Sequence, residues 1–267
     1  MGYSISTYTL FALPIVPAVE ALMLKGGWKS IEIMGEGKYH GRLLLYMERS
    51  EIENMARLAK VNDVSFGFHL PIEGFNPASP DEETEQIWKK CLSIAKMLEV
   101  EYVLFHLGSN PSIDGGLKSA ADFSKKMLQE LPEKTRLVIE NVPDAENAIG
   151  TSIDELVSVI QMIDDPSAGI MLDTGHCYIN GQAGFLDECR KAYPYLYGLH
   201  INDNHGSSDE HLQIGEGAIP FQSLFQELKG RPIKYVFETN TVDRAEHSMN
   251  LVKINSWGMQ DVKHSIT

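Results

Sequence analysis

The sequence predicts an α/β fold, a (β/α)8 barrel forming one domain over residues 1–267. Three observations carry this. Short apolar runs alternate with amphipathic stretches from end to end, the alternation repeats eight times, and acids or histidines recur where the apolar runs stop. A doubly wound open sheet is the rival arrangement, but it would not bring residues from six strand ends to one place.

The elements follow in order. The first strand is placed near residues 3–10, with a helix near 17–25 after it. The second, 30–34, precedes a helix at 48–60, and the third, 64–68, a helix at 82–98. That helix carries Ile87, Cys91, Ile94, Ala95 and Leu98 on one face. The fourth strand, 102–105, leads to a helix at 117–131, and the fifth, 137–139, to one at 153–163 with Thr151, Ser152 or Asp154 as N-cap. The sixth, 169–172, is followed by a short helix at 184–192, the seventh, 196–199, by 221–228, and the eighth, 235–237, by 244–257. The longest irregular segments, 35–46, 71–81, 108–116 and 202–220, all come after strands, so a barrel gathers them on one face.

Composition narrows the class. Hydrophobic residues make up 43% of the 267, enough for a sizeable core. No apolar stretch approaches the ~20 residues of a membrane span, so no membrane partner is expected. Residues 1–11 show neither a basic n-region nor a clear cleavage site, so no signal peptide is read. Cys91, Cys177 and Cys189 are odd in number and lack CxxC spacing, which fits reduced thiols and a cytoplasmic location. The net charge of −14, from 37 acids against 23 bases, weighs mildly against nucleic acid as the main partner. Self-association is left open, because no exposed apolar stripe decides it.

Nine residues end strands or follow them closely: His69, His106, Glu140, Asp173, His176, His200, Asp209, His211 and Glu238. One strand-end histidine is usually just hydrogen-bonded, and one loop acid is usually solvated. Six strands ending this way describe a ring of ligands, since a buried carboxylate without a partner or metal is costly. Imidazole nitrogen and carboxylate oxygen suit zinc and similar divalent ions, and nine donors exceed what one ion takes. Glu140 is placed to bridge two ions. Asp173 and His176 share one turn with Gly175 between them, while Asp209 and His211 can reach one ion if that stretch is extended. Glu140, Asp173, His200 and Glu238 head the set because each ends a strongly apolar strand. His205 is read as solvent-facing, His40, His247 and His264 as surface residues, and Cys177 as packing. Gly115, Gly116, Gly215 and Gly217 are read as turn glycines.

With LDTGH at 172–176 and LHINDNHGSSDEHLQIGEG at 199–217, the series resembles the xylose isomerase-like TIM barrels, including the AP endonuclease family 2 proteins. The resemblance covers nearly the whole chain, by motif from the third strand to the eighth and by pattern in the first two. It implies one of two chemistries. Sugar isomerases and epimerases use one divalent ion, manganese, magnesium or cobalt, on residues matching Glu140, Asp173, His200 and Glu238. There Glu140 and Glu238 would also move the proton beside a carbonyl, and His69, His106, His176 and His211 would bind substrate or a second ion. Proteins of the endonuclease IV type, which cleave at apurinic sites, hold three zinc ions. All nine of their ligand positions have a match here, with Glu140 bridging two ions and Glu238 helping to hold a third.

The loops favour the first alternative. Residues 11–17 are apolar and uncharged, only Lys38, Tyr39, His40 and Arg42 form a basic-aromatic cluster, and residues 71–81 include Glu73, Phe75 and Asp81 but no base. That is a thin grip on a duplex and a better wall for a small carbohydrate. The expectation is therefore a divalent-metal-dependent sugar isomerase or epimerase with one to three ions, and a multinuclear zinc phosphodiesterase acting on nucleic acid as the alternative.

Overall fold

Each strand of the computed structural model, which describes residues 2–255, buries alternate side chains on opposite faces. Strands β1 (Tyr3–Ser6), β2 (Ser30–Met34), β3 (Ser65–His69), β4 (Tyr102–His106), β5 (Arg136–Glu140), β6 (Ala168–Asp173), β7 (Leu196–Ile201) and β8 (Lys234–Phe237) pair in parallel, each with its neighbours in sequence. β8 returns to β1, so the sheet closes. Between the strands run helices α1 (Ile15–Lys25), α2 (Arg49–Val61), α3 (Glu82–Leu98), α4 (Ile113–Glu130), α5 (Ile153–Ile163), α6 (Thr174–Asn180), α7 (Phe185–Ala192) and α8 (Phe221–Leu228), and α9 (Val242–Ile254) follows β8. None of these helices is long and apolar enough to cross a membrane.

Period-two alternation splits the core. Ile31, Ile33, Phe66, Phe68, Val103, Phe105, Leu137 and Ile139 belong to the large cluster between sheet and helices. Tyr102, Leu104, Val138, Met171 and Val236 fill the barrel itself. Continuing that alternation turns His106 and Glu140 inward, as partners in register at the top of β4 and β5. A Cβ on Gly67 would lie 2.2 Å from the Tyr102 ring, so this glycine is what lets the ring cross the barrel. Side-chain caps start several helices, from Asp81, Ser112, Ser152 and Thr241 to the amides of Thr84, Gly115, Glu155 and Arg244.

Several boundaries differ from expectation. The first strand stops at Ser6 because Thr7–Leu10 forms a 3-10 turn capped by Ser6. The fourth helix begins at Ile113, four residues early, so Gly115 and Gly116 lie inside α4 and are not turn glycines. Asp173 caps a helix that the sequence reading missed, α6, so His176 and Cys177 are helical, although Cys177 is buried as expected. Residues 256 and 257, placed in the last helix, and His264 lie outside the described residues.

Candidate metal centre

The nine strand-end residues meet at the C-terminal mouth of the barrel, where their donor atoms form three groups. His69, His106 and Glu140 make one, Glu140, Asp173, His200 and Glu238 the central one, and His176, Asp209 and His211 the outer one, with all donor atoms in a group within 4.8 Å of one another. Glu140 belongs to two groups because its oxygens diverge. Oε2 lies 3.2 Å from both His69 Nε2 and His106 Nε2, and Oε1 lies 2.7 Å from His200 Nδ1. Asp209 Oδ2 stands 3.3 Å from His176 Nε2 and 2.9 Å from His211 Nε2.

These spacings allow a test of fit. Two donors that each sit about 2.1 Å from one tetrahedral ion are about 3.4 Å apart. The His–carboxylate distances of 3.2, 3.2, 3.3 and 2.9 Å fall near that value. The donor chemistry agrees: five imidazoles and four carboxylates, all buried but Asp209 and the half-buried His106, suit divalent ions of the zinc or manganese type. In the central group His200 Nδ1 stands 2.7, 3.2 and 3.8 Å from Glu140, Glu238 and Asp173, a spread around the same value, so the donors present fit metal in all three groups.

Neighbouring side chains fix the ligands. The Asp173 amide donates to Asn141 Oδ1 at 2.8 Å, and Asn202 Nδ2 donates to Asp173 Oδ2 at 2.8 Å. Ser6 Oγ donates to Glu238 Oε1 at 3.0 Å. A Cβ at Gly175 would stand 2.0 Å from Asn202 Oδ1, so DTGH needs its glycine for close approach. The loop bearing Asp209 and His211 wraps around buried Asp203, which accepts from the amides of Asn204, Gly215, Gly217 and Ile219. Asp209 and His211 come together without an extended stretch, since His211 has a left-handed φ of 49° and its ring still reaches Asp209.

Burial disfavours charge on every group here, and the partners decide the outcome. His200 ends well above its ordinary value because Glu140, Glu238 and Glu32 outweigh burial. Burial is likewise outweighed at His176, raised to about 10 chiefly by Asp173 and Asp209, and at His211, raised to about 9 by Asp209. Against burial, His200 holds Glu140 well below the usual carboxylate range and brings Glu238 to about 2. Burial prevails at Asp173, raised to about 6, and at His106, which is lowered.

Other histidines fall apart from the centre. His205 is exposed and pairs with Glu210, and His247 is exposed, both as expected. His40 is not a surface residue. It is buried, with Nδ1 2.6 Å from Leu13 O and Nε2 3.0 Å from Thr7 Oγ1, so it ties the second loop to the first. Two neighbours of the centre escaped the sequence reading. Glu32 lies mid-strand in β2, and its only signal is the period-two pattern around Ile31 and Ile33. Tyr8, whose ring lies 4.3 Å from that of His211, had been absorbed into a longer first strand. A cavity of about 1180 Å³ opens at the other end of the barrel among Lys29, Glu101, Arg136 and Lys234, and none of the nine lines it.

The family model described as xylose isomerase-like TIM barrel matches residues 21–253. An uncharacterized protein of Methanocaldococcus jannaschii is 25% identical over 86% of this chain and 80% of its own. A probable endonuclease 4 of Thermosipho melanesiensis is 29% identical over 60% of this chain and 64% of its own. Among solved structures, a D-tagatose 3-epimerase-like protein superposes with a TM-score of 0.79 at 22% identity, covering 95% of this chain and 96% of that one.

Proposed function

The chain belongs to the xylose isomerase-like TIM barrel family, and from that premise we propose that it is a multinuclear metal-dependent hydrolase of phosphate diesters, acting on nucleic acid in the manner its endonuclease 4 relatives are named for. The observation that carries this reading is the division of the nine side chains into three groups sharing Glu140. A single-ion enzyme needs only the central group. The other two sets, which in such an enzyme would serve as substrate contacts, here gather their donor atoms within 4.8 Å of one another, as ligands of further ions would.

When bound, divalent ions would polarise a phosphoryl oxygen and make hydroxide available near neutral pH. His69, His106 and Glu140 would hold one ion, Glu140, Asp173, His200 and Glu238 a second, and His176, Asp209 and His211 a third. The four ligand carboxylates carry four negative charges, so three divalent ions would leave the pocket about two charges positive. An anionic substrate is therefore compatible with a chain of net charge −14. Beside the outer group, the Tyr8 ring makes tilted contacts with those of His211 and Phe11, and Phe11, Leu13, Tyr39 and Ile72 stay exposed on the loops after the first three strands. Such an apolar rim suits the face of a base or sugar better than a solvated backbone. Lys38, over the Tyr39 ring, adds a positive charge to it.

A specific observation keeps the expected alternative, the sugar isomerase or epimerase. The central group is a complete four-ligand set in itself, and its two glutamates flank His200 Nδ1 at 2.7 and 3.2 Å. On that reading Glu140 and Glu238 exchange a proton with a small carbohydrate. Elemental analysis of protein prepared without chelator separates the two. About three ions per chain with cleavage of duplex DNA at an abasic site is the expected result. One exchangeable ion with turnover of ketoses, and none of abasic DNA, would replace the proposal with the alternative.

A further inference from the structure

The rings of the centre differ in how their protons are placed. His69, His176 and His211 turn Nδ1 to main-chain carbonyls, of Leu70 at 2.8 Å, Asn141 at 2.9 Å and Glu238 at 2.7 Å. A carbonyl only accepts, so Nδ1 keeps a proton and Nε2 is the nitrogen that can give a lone pair. His200 is reversed. Its Nδ1 faces Glu140 and Glu238, while Nε2 points down the barrel to Glu32, 3.1 Å from Oε2 and 3.0 Å from Oε1.

Glu32 is fully buried in the middle of β2, and the Tyr102 hydroxyl donates to its Oε2 at 2.8 Å. Among the described residues, its Oε1 has no polar neighbour but His200 Nε2. An acid at this depth needs a reason. Strand carbonyls are engaged in the sheet, so nothing on the main chain can receive the Nε2 proton of a ring that lies inside the barrel. A side chain must, and Gly67 opens the space from which Tyr102 orients it.

The geometry points to Glu32 as a positioning residue for His200: by accepting the Nε2 proton it commits Nδ1 to the ion held with Glu140, Asp173 and Glu238. This rests on the reading that the central group binds metal. The carboxylate orients the ring and, through its charge, makes the imidazole a stronger donor. The carbonyls behind the other three rings chiefly orient.

Zinc affinity by chelator competition, and the visible spectrum of the cobalt form, would be measured for the full chain and for Glu32→Gln and Glu32→Leu. Gln keeps an acceptor for Nε2 and loses the charge, whereas Leu loses both. The expected result is an affinity loss of about 10- to 100-fold for one ion per chain in the Leu variant. That ion's cobalt bands shift, the Gln variant loses less, and the other ions stay in place. In the zinc-loaded parent a low-field imidazole N–H resonance from His200 is expected, absent in the Leu variant. Unchanged affinity, spectrum and resonance in both variants would overturn the role of Glu32 while leaving the metal reading intact. Equal loss of every ion with a lowered Tm would overturn it as well. A parent protein that takes up no ion at the central group would overturn both.

Discussion

Glu140, Asp173, His200 and Glu238 stand on strand ends, none more than 3% exposed, whereas Asp209 and His211 stand in a long loop, with the Asp209 side chain 33% exposed. The first four are placed by the sheet. Register sets His106 opposite Glu140 and Asp173 opposite His200, so hydrogen bonds that every barrel makes also position ligands. The outer pair has no ladder behind it. Its loop is held by the Asp203 carboxylate on four amides, by a two-bond main-chain bridge between Asp203 and Leu212, and by the Asn240 amide on His211 O. Donors of the same chemistry thus depend on global structure in one place and on a few local bonds in the other.

The strongest way to break this contrast is at the residue both inner groups share. Glu140→Gln should lower turnover more than about 100-fold and remove bound metal from two groups while the outer one keeps its ion, as read by metal analysis and kinetics. Next in size, Asp203→Ala should strip the outer group alone. Each buried amide left without an acceptor costs about 1–3 kcal/mol, so a lowered Tm should accompany loss of one ion per chain. Retention of all ions in that variant would mean that the loop does not depend on Asp203.

A smaller effect is expected from pH on the metal-free protein, and both groups share in it, since the raised His200 stands in the central group and the lowered Asp209 in the outer one. In the outer group, His176 at about 10 and His211 at about 9 lie above their ordinary 6.5. Their contribution is whole below about pH 6.5 and is lost as the pH climbs through 9 and 10. In the central group, Glu238 at about 2 contributes fully above about 4.5 and loses that as the pH falls through 2. Asp173 works the other way, since a carboxyl raised from 3.8 to about 6 contributes fully below about 3.8 and loses that as the pH climbs to 6. Thermal unfolding of the metal-free chain should therefore peak near about pH 4.5 and decline toward 10. Zinc replaces the ring protons, so loading at pH 7 should release protons and flatten the alkaline decline, which calorimetry in buffers of different ionisation enthalpy reads. The least effect belongs to His205, exposed on the same loop. His205→Ala should leave metal content unchanged and move stability by no more than about 0.5 kcal/mol.

Much of the barrel was legible because its signal is local. Apolar runs of three to five residues between amphipathic stretches mark the second to eighth strands, and an acid or histidine at the end of such a run has one direction to face once the strand is buried on both sides. Where the pattern broke, so did the reading. Thr7–Leu10 continues the apolar run but turns, because Ser6 caps it. Asp173 was read as a strand end and is also a helix cap, since its carboxylate receives the His176 amide. His40 looked like a surface residue because nothing in residues 35–46 says that Leu13 O and Thr7 Oγ1 will lie against its ring.

Chain chemistry settled which donors exist and at which strand ends they stand, since period-two alternation and burial are properties of a few neighbouring residues. The division into three groups was decided only by closure of the barrel. Glu140 joins two of them because its oxygens diverge toward rings from β3, β4 and β7, residues 34 to 71 positions away along the chain. Glu32 shows the same limit from below: a mid-strand acid becomes the partner of His200, 168 residues distant, because both side chains point into one closed interior.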